Sequence, residues 1–292
     1  MRDMFSRIAL LCALAATAWG QPAAIKQVEI YGQKIYYQEA GSGADVILLH
    51  GLGGDRGAWS LTVPALAAKH HVYAPDQVGF GQSDKPAIDY RVGTLVDFLD
   101  AFYKQVGIVK ATLVGNSLGG WVAMDFALAH PDKVSRLVLV DSAGYSFQRA
   151  GAQLPGREML QRLNPSTVAG EKQLMALVFY NKMFATDRFA EQAFAAHLRK
   201  NDGYTIDRFL DSIQRGEDVL DGRLGSIKAP TLIVWGREDA LVPLATAKAL
   251  AEDIPGAETV ILDSCGHVPP VDCPAPFNAA LLKYLDGPGG SR

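Results

Sequence analysis

The sequence predicts an α/β fold in which helices cover both faces of a mostly parallel sheet. Short apolar runs that are typical of buried strands alternate with helical patterns, as expected when helices join parallel strands. The 292-residue chain is 49% hydrophobic and 20% charged, which is an ordinary globular composition. Its formal net charge is −3 without a run of like charges, so a nucleic-acid partner is not expected.

The N-terminus predicts a cleaved secretory signal peptide at residues 1–20. Arg2 and Arg7 flank a short polar start, and an almost unbroken apolar stretch follows at residues 8–18. Its end and the residues after it are small and suit signal peptidase. The stretch has about half of the roughly 20 residues that a membrane span needs. An uncleaved N-terminal anchor is the alternative. We therefore expect a periplasmic or secreted protein with no stable membrane span after the signal is removed.

The rest of the chain begins with a predicted antiparallel ribbon. Residues 28–30 and 35–37 alternate apolar and polar side chains, which is typical of strands with one covered face. Six more predicted strands are near-continuous apolar runs at residues 46–49, 72–74, 112–114, 137–140, 231–235 and 259–262. Runs of this length suit central strands that are covered on both faces.

Helical patterns fill the connections between the strands. Residues 94–106 and 118–130 have helical periodicity and end at loop residues. The sequence predicts a final helix at residues 277–285.

One connection is much longer than the others. Residues 145–227 contain no strand pattern, and the predicted helices there lie at residues 173–184, 186–200 and 205–215. The sequence therefore predicts a core in two parts, at residues 21–144 and 228–292, interrupted by a helical cap at residues 145–227.

A candidate nucleophile follows the predicted strand at residues 112–114. Residues 115–119 are GNSLG, a G-x-S-x-G motif with Ser117 at its centre, and a helical pattern begins at Leu118. In this context the serine occupies a strained strand-to-helix turn, and flanking glycines avoid a clash of Cβ atoms with the neighbouring strand and helix. We expect the Ser117 hydroxyl to project above the sheet edge. A glycine-rich turn with an idle serine is the alternative.

A second glycine-rich loop, HGLGG at residues 50–54, follows another predicted strand. A tetrahedral oxyanion needs backbone N–H donors, and loops from two strands can supply them together. The predicted oxyanion hole consists of the N–H groups of Leu52 and Leu118. We expect His50 to form structural hydrogen bonds beneath this loop rather than act as a base.

Two late strands end at residues that would complete a catalytic triad. Asp239 and His267 follow Ser117 in the order serine, acid, histidine, which is the order that G-x-S-x-G enzymes use. We predict that His267 is the general base and that Asp239 holds its tautomer. Glu238 and Asp141 are alternative acids, and an ordinary loop histidine is the alternative role for His267.

Together these motifs resemble the α/β-hydrolase superfamily over nearly the whole mature chain. Residues 74–86 are similar to its loop after the fourth strand, and residues 230–239 and 266–277 to its acid and histidine segments. The motifs look most like capped bacterial serine esterases and lipases, and they are also similar to serine-dependent C–C bond hydrolases of aromatic degradation. Haloalkane dehalogenases and epoxide hydrolases are disfavoured because their nucleophile is aspartate, whereas this chain has Ser117.

The resemblance implies a serine hydrolase that cleaves a small-molecule carboxylic ester through an acyl-enzyme, and the predicted signal peptide implies that it is exported. Export favours an ester, because ring-cleavage products arise in the cytoplasm. The alternatives are a C–C bond hydrolase, a lactonase or a peptidase on the same fold, and a catalytically silent ligand-binding protein. No cofactor and no metal ion are expected, and the sequence does not specify the oligomeric state.

Cys265 and Cys273 bracket the predicted base and remain after signal removal. They lack the spacing of a zinc site, and export would place them in an oxidising compartment that favours a disulfide. Two prolines at residues 269 and 270 favour an extended chain, which opposes the close approach that a disulfide requires. The sequence leaves a disulfide and two buried thiols equally open.

Overall fold

The computed structural model describes residues 24–145 and 156–287 of the chain. The predicted signal peptide lies outside the described residues, as do residues 146–155 of the predicted cap. Within the described ranges, no helix combines the length and the apolar character that crossing a membrane requires.

Eight strands form one sheet in the described chain. They are β1 Ala24–Ile30, β2 Gln33–Gly41, β3 Ala44–Leu49, β4 His70–Pro75, β5 Ala111–Asn116, β6 Val134–Val140, β7 Thr231–Gly236 and β8 Glu258–Leu262. Their order is β1-β2-β4-β3-β5-β6-β7-β8. β2 pairs antiparallel with β1 and β4, and the pairs from β4–β3 to β7–β8 are parallel. Every predicted strand is present, and the mostly parallel sheet confirms the predicted fold class.

Helices of the described chain connect the strands. They are α1 Val63–Ala67, α2 Val92–Val106, α3 Leu118–Ala129, α4 Arg157–Gln161, α5 Val168–Val178, α6 Asp187–Lys200, α7 Gly203–Gln214, α8 Leu244–Asp253, α9 Pro269–Asp272 and α10 Pro274–Leu285. Short 3₁₀ turns lie at Arg56–Trp59, Lys182–Ala185 and Leu224–Ser226.

Alternate side chains of the strands belong to two apolar cores, one on each face of the sheet. In β3, Ile47 and Leu49 belong to one core, while Val46 and Leu48 belong to the other. Helices α2, α3 and α8 close the first core, and α1 and α10 close the second. Because both faces are covered, the strand is an unbroken apolar run in the sequence.

The described part of the connection between β6 and β7 contains helices and no strand. Its helix α5 begins and ends earlier than the helix predicted at residues 173–184. Thr167 caps the N-terminus of α5 by accepting a 3.0 Å hydrogen bond from Gly170 N. At the other end Phe179 is extended, and the carbonyl of Val178 accepts a hydrogen bond from the core instead of continuing the helix. The boundary is thus set by a tertiary contact.

Candidate active site

Ser117 lies on a strained turn between β5 and α3. Its φ of +54° is rare for a residue with a side chain. The close packing around the turn requires glycine at two positions, because a Cβ on Gly115 would overlap the carbonyl oxygen of Gly119, and a Cβ on Gly119 would overlap that of Leu49. These backbone contacts are the physical basis of the G-x-S-x-G motif and hold Ser117 at the carboxyl edge of the sheet.

The glycine-rich loop after β3 passes directly beside the serine. A Cβ placed on Gly51 would lie 3.2 Å from the Cβ of Ser117. His50 holds this loop from beneath, since its Nδ1 lies 2.8 Å from Gly51 O and its Nε2 accepts a 3.1 Å hydrogen bond from Gln77 N. Complete burial lowers the pKa of His50, which keeps the imidazole neutral. His50 is therefore a structural residue, as the sequence predicts.

The two predicted oxyanion donors are Leu52 N, in the loop after β3, and Leu118 N, directly after the serine. Leu118 is the first residue of α3, so its N–H is one of the helix's unpaired N-terminal donors. Neither Leu118 N nor Leu52 N has a hydrogen-bond acceptor among the described residues. Both N–H groups thus lack an acceptor in the described chain, as donors of a predicted oxyanion hole must.

Asp239 and His267 form a buried hydrogen-bonded pair. Asp239 Oδ2 lies 2.8 Å from His267 Nδ1, while Oδ1 of the same carboxylate accepts hydrogen bonds from Leu241 N at 2.8 Å and Val242 N at 2.9 Å. A carboxylate fixed in this way makes Nδ1 the donor, so the lone pair of the neutral imidazole is on Nε2. The alternative acid Glu238 instead accepts a hydrogen bond from Cys265 N at 2.9 Å and braces the histidine loop.

His267 Nε2 is buried and has no hydrogen-bond partner among the residues that the structure describes. The hydroxyl of Ser117 is therefore not bonded to it in this conformation. Catalytic hydrogen bonds are often loose without substrate and tighten in the reacting complex. The arrangement leaves the proton-accepting atom of the imidazole unoccupied.

Asp141, the other alternative acid, lies at the end of β6 and is completely buried. Its Oδ1 accepts a 2.9 Å hydrogen bond from Gly236 N, and its carboxyl belongs with Asp239 and His267 to a group whose ligand atoms lie within 4.8 Å of one another. Burial, and then the charge of Asp239, raise its pKa well above the ordinary value. The buried carboxyl of Asp141 therefore lies beside the Asp239–His267 pair without a contact to the imidazole of its own among the described hydrogen bonds.

The comparisons with known proteins agree with this geometry. The sequence profile of the alpha/beta hydrolase fold matches residues 46–273. The chain belongs to the alpha/beta hydrolase fold family. This confirms both the resemblance and the α/β-hydrolase fold that the motifs predict.

Relatives of this α/β hydrolase differ in the substrates that their names record. A 2-hydroxymuconate semialdehyde hydrolase of Pseudomonas sp. (strain CF600) is 32% identical over 269 residues, which cover 89% of this chain and 93% of the relative. The structure of a meta-cleavage product hydrolase from Pseudomonas fluorescens IP01 has a TM-score of 0.81 and 29% identity, covering 89% of this chain and 97% of that one. A bacterial membrane phospholipase A has a TM-score of 0.80 and 26% identity, covering 98% and 99% of the two chains.

The described segment between β6 and β7, which the sequence predicts to be a cap, contacts the loop after β3 and the loop that carries His267. Lys200, the last residue of α6, donates a 3.0 Å hydrogen bond to Gly53 O and lies 2.8 Å from Asp55 Oδ2. The backbone of Val178 accepts a 2.8 Å hydrogen bond from His267 N. Sequence reasoning did not find Lys200, because it is 147 residues from Gly53 and no local pattern marks the contact.

Cys265 and Cys273 form a disulfide, with their Cα atoms 5.6 Å apart. The two prolines between them do not keep the chain extended. They instead begin the short helix α9, where proline fits because the first helical residues need no N–H partner. This turn brings the chain back and closes a loop around His267.

Proposed function

We propose that this α/β hydrolase uses Ser117 to attack a carbonyl carbon and then hydrolyses the resulting acyl-enzyme. The observation that supports this most strongly is the 2.8 Å contact between Asp239 Oδ2 and His267 Nδ1. It fixes the imidazole in the tautomer that accepts a proton at Nε2. Deprotonated Ser117 attacks the carbonyl carbon, and the N–H groups of Leu52 and Leu118 bind the oxyanion.

The reaction is completed in two steps, departure of the leaving group and hydrolysis of the acyl-enzyme by water. His267 passes the serine proton to the leaving group, the bond to that group breaks, and the acyl group stays on Ser117. A water molecule then gives a proton to His267 and attacks the acyl carbon. Ser117 leaves with that proton, which restores the starting state. Each proton that His267 accepts is passed on within the cycle, and no oxidant or reductant is required.

As the first substrate candidate we propose a carbon–carbon bond beside a ketone or aldehyde carbonyl. The support is the 32% identical relatives, whose names are hydrolases of 2-hydroxymuconate semialdehyde and of 2-hydroxy-6-oxo-6-phenylhexa-2,4-dienoate. Breaking such a bond requires a carbanion leaving group that is stabilised by conjugation, and His267 would be the source of the proton for that carbon. This candidate replaces the ester as the leading choice, because the comparisons support it better than the ester.

A carboxylic ester is the second candidate. It is supported by the likeness to a membrane phospholipase A across 98% of this chain. It is also supported by the predicted signal peptide, since we propose export to the periplasm or the medium, away from cytoplasmic ring-cleavage products. The disulfide between Cys265 and Cys273 suits an oxidising compartment.

A substrate panel tests these proposals. We assay four proteins: the wild type, Ser117→Ala, His267→Ala, and the control Ser60→Ala, which changes an exposed serine. The substrates are 2-hydroxy-6-oxo-6-phenylhexa-2,4-dienoate, p-nitrophenyl esters of increasing length, a lactone and an amide. We expect the highest kcat/KM on the dienoate, and a loss of kcat of about 10⁶-fold in Ser117→Ala and His267→Ala.

Each outcome of the panel has a meaning. A tenth or more of wild-type kcat in Ser117→Ala would end the serine mechanism. Cleavage of esters without the dienoate would replace the first substrate candidate with the second. Tight binding of panel compounds without turnover would favour a ligand-binding protein.

A further inference from the structure

We propose that Asp272 is a positioning residue that couples the helical cap to the general base. The inference rests on the proposed function, because it concerns where His267 stands relative to Ser117. It assigns to the cap a part in setting that distance.

The carboxylate of Asp272 joins three backbone donors from two parts of the chain. Its Oδ2 accepts hydrogen bonds from Gly266 N and from Tyr180 N, both at 2.7 Å, and its Oδ1 accepts one from Asn181 N at 3.0 Å. Gly266 immediately precedes His267, whereas Tyr180 and Asn181 belong to the cap. A carboxylate makes stronger hydrogen bonds to N–H groups than a neutral acceptor does, so this junction is firm.

A second bond attaches the histidine itself to the same cap segment. His267 N donates to Val178 O at 2.8 Å. The two backbones are in close contact here, because a Cβ on Gly266 would lie 2.7 Å from both Val178 O and Tyr180 N. Residues 178–181, which we name the docking segment, therefore lie directly against the histidine loop.

The histidine loop has little freedom to absorb a movement of the docking segment. The disulfide between Cys265 and Cys273 closes it covalently, and Asp272 lies just inside that closure. A shift of the docking segment would therefore be transmitted through Asp272 to Gly266 and His267. In the present conformation Nε2 of His267 has no partner within the described chain, so a small shift can decide whether the serine hydroxyl reaches it.

A neutral amide at position 272 cannot replace the carboxylate. In Asp272→Asn one oxygen becomes an NH₂ group, which would face either Asn181 N or the pair formed by Gly266 N and Tyr180 N. The substitution keeps the size of the side chain and breaks the junction on one side. Asp263→Asn is the matched control, because Asp263 is an exposed residue paired with Arg237 just before the same loop.

A backbone test reaches the junction from the cap. Asn181 has a φ of −69°, which proline adopts without strain, so Asn181→Pro removes the N–H that binds Asp272. Asn181→Ala is its control, because it loses the same side chain, which accepts a 3.1 Å hydrogen bond from Met183 N, but keeps the N–H.

The measurement is the rate at which a small fluorophosphonate labels Ser117, together with kcat and KM on a substrate of the wild type. We expect Asp272→Asn to lower the labelling rate and kcat by about ten- to a hundredfold with a smaller change in KM, since misplacing a reacting group costs rate rather than binding. Asn181→Pro should lower both rates relative to Asn181→Ala. The losses of Asp272→Asn and Asn181→Pro should not add in the double variant.

Wild-type rates in folded Asp272→Asn and Asn181→Pro, or fully additive losses, would overturn the inference. Should Asp272→Asn not fold, the comparison of Asn181→Pro with Asn181→Ala decides alone. Failure of the proposed function looks different, because Ser117→Ala would then remain active or the wild type would bind the panel compounds without turnover. If Ser117→Ala and His267→Ala are inactive while the junction variants keep wild-type rates, only the positioning role is wrong.

Discussion

Asn116 Nδ2 donates a 3.0 Å hydrogen bond to the main-chain carbonyl oxygen of His267. The residue before the candidate nucleophile thus holds the backbone of the candidate base. The same amide donates a second 3.0 Å bond to Val140 O, so both of its N–H groups are used. The main chain of His267 is therefore held by the core at its carbonyl and by the cap at its N–H.

Asn116→Asp should weaken both the site and the fold. A carboxylate would leave two buried carbonyl oxygens without donors and place an acceptor against them, which costs about 1–3 kcal/mol for each unpaired group. We expect kcat to fall at least tenfold and the urea midpoint to drop. Asn278→Asp is the control, because Asn278 makes the same kind of bond to Leu61 O in an exposed setting. Equal effects of the two substitutions would show that the contact with His267 has no special role.

Asp141 predicts a pH dependence of stability. Its pKa is raised by burial and by Asp239, so the folded protein favours the protonated carboxyl. That contribution is fully present below the ordinary value near 4 and is lost as the pH rises towards the folded-state pKa. Asp141→Asn keeps an acceptor for Gly236 N and removes the titration. The urea midpoint of Asp141→Asn should therefore rise relative to wild type between pH 5 and pH 8, and a constant difference would contradict this account.

The contacts of Lys200 form a second link, which joins the cap to the loop after β3. Burial alone would raise the pKa of Asp55, but the charge and hydrogen bond of Lys200, together with smaller contributions that include the Gly57 N–H, lower it. Lys200→Met removes the bonds to Gly53 O and Asp55, so we expect the free energy of unfolding to fall by about 1.5–3 kcal/mol and kcat to fall with it. Lys172→Met, which breaks an exposed pair with Asp187, should change stability by less than about 1 kcal/mol. Similar losses in the two variants would remove the special role of Lys200.

The disulfide between Cys265 and Cys273 should stabilise the fold by restricting the unfolded chain. The short loop that it closes predicts a loss of about 2.5 kcal/mol in the variant with both cysteines changed to alanine. Thiol counting on denatured protein that lacks residues 1–20 and was produced in an oxidising compartment should find no free thiol before reduction and two after it. Two free thiols in unreduced protein would contradict the bond.

Much of the fold is predictable because local patterns specify it. The strands are continuous apolar runs since both faces of the sheet are covered, and the glycines around Ser117 are required by the overlaps that Cβ atoms would cause. The remainder depends on contacts between distant segments. The end of α5 is set by the hydrogen bond between Val178 O and His267 N. The disulfide could not be predicted, because two adjacent prolines before Cys273 favour an extended chain in the sequence but begin a short helix in the structure.

Of the predicted site, the structure shows the contact between the acid and the histidine, while the catalytic roles of Ser117, Asp239 and His267 remain predictions. The order of Ser117, Asp239 and His267 follows a known pattern, and the structure brings Asp239 to the imidazole at 2.8 Å. The bracing by Asn116 and Lys200 could not be inferred, because side-chain bonds to backbone carbonyls far along the chain leave no periodic signal. In the sequence, Asp272 belongs to the segment at residues 266–277 that resembles the histidine segment of α/β hydrolases, and no pattern there indicates its contacts with the cap.

The central claim is that Ser117 is a nucleophile activated by His267, and covalent labelling tests it most directly. The protein is treated with a small fluorophosphonate, and the modified peptide is identified by mass spectrometry in wild type, Ser117→Ala and His267→Ala. The account predicts one adduct per chain on the peptide that carries Ser117, no adduct at that site in Ser117→Ala, and a much slower reaction in His267→Ala. An active wild-type protein without an adduct on Ser117, or one inactivated by labelling elsewhere, would contradict it.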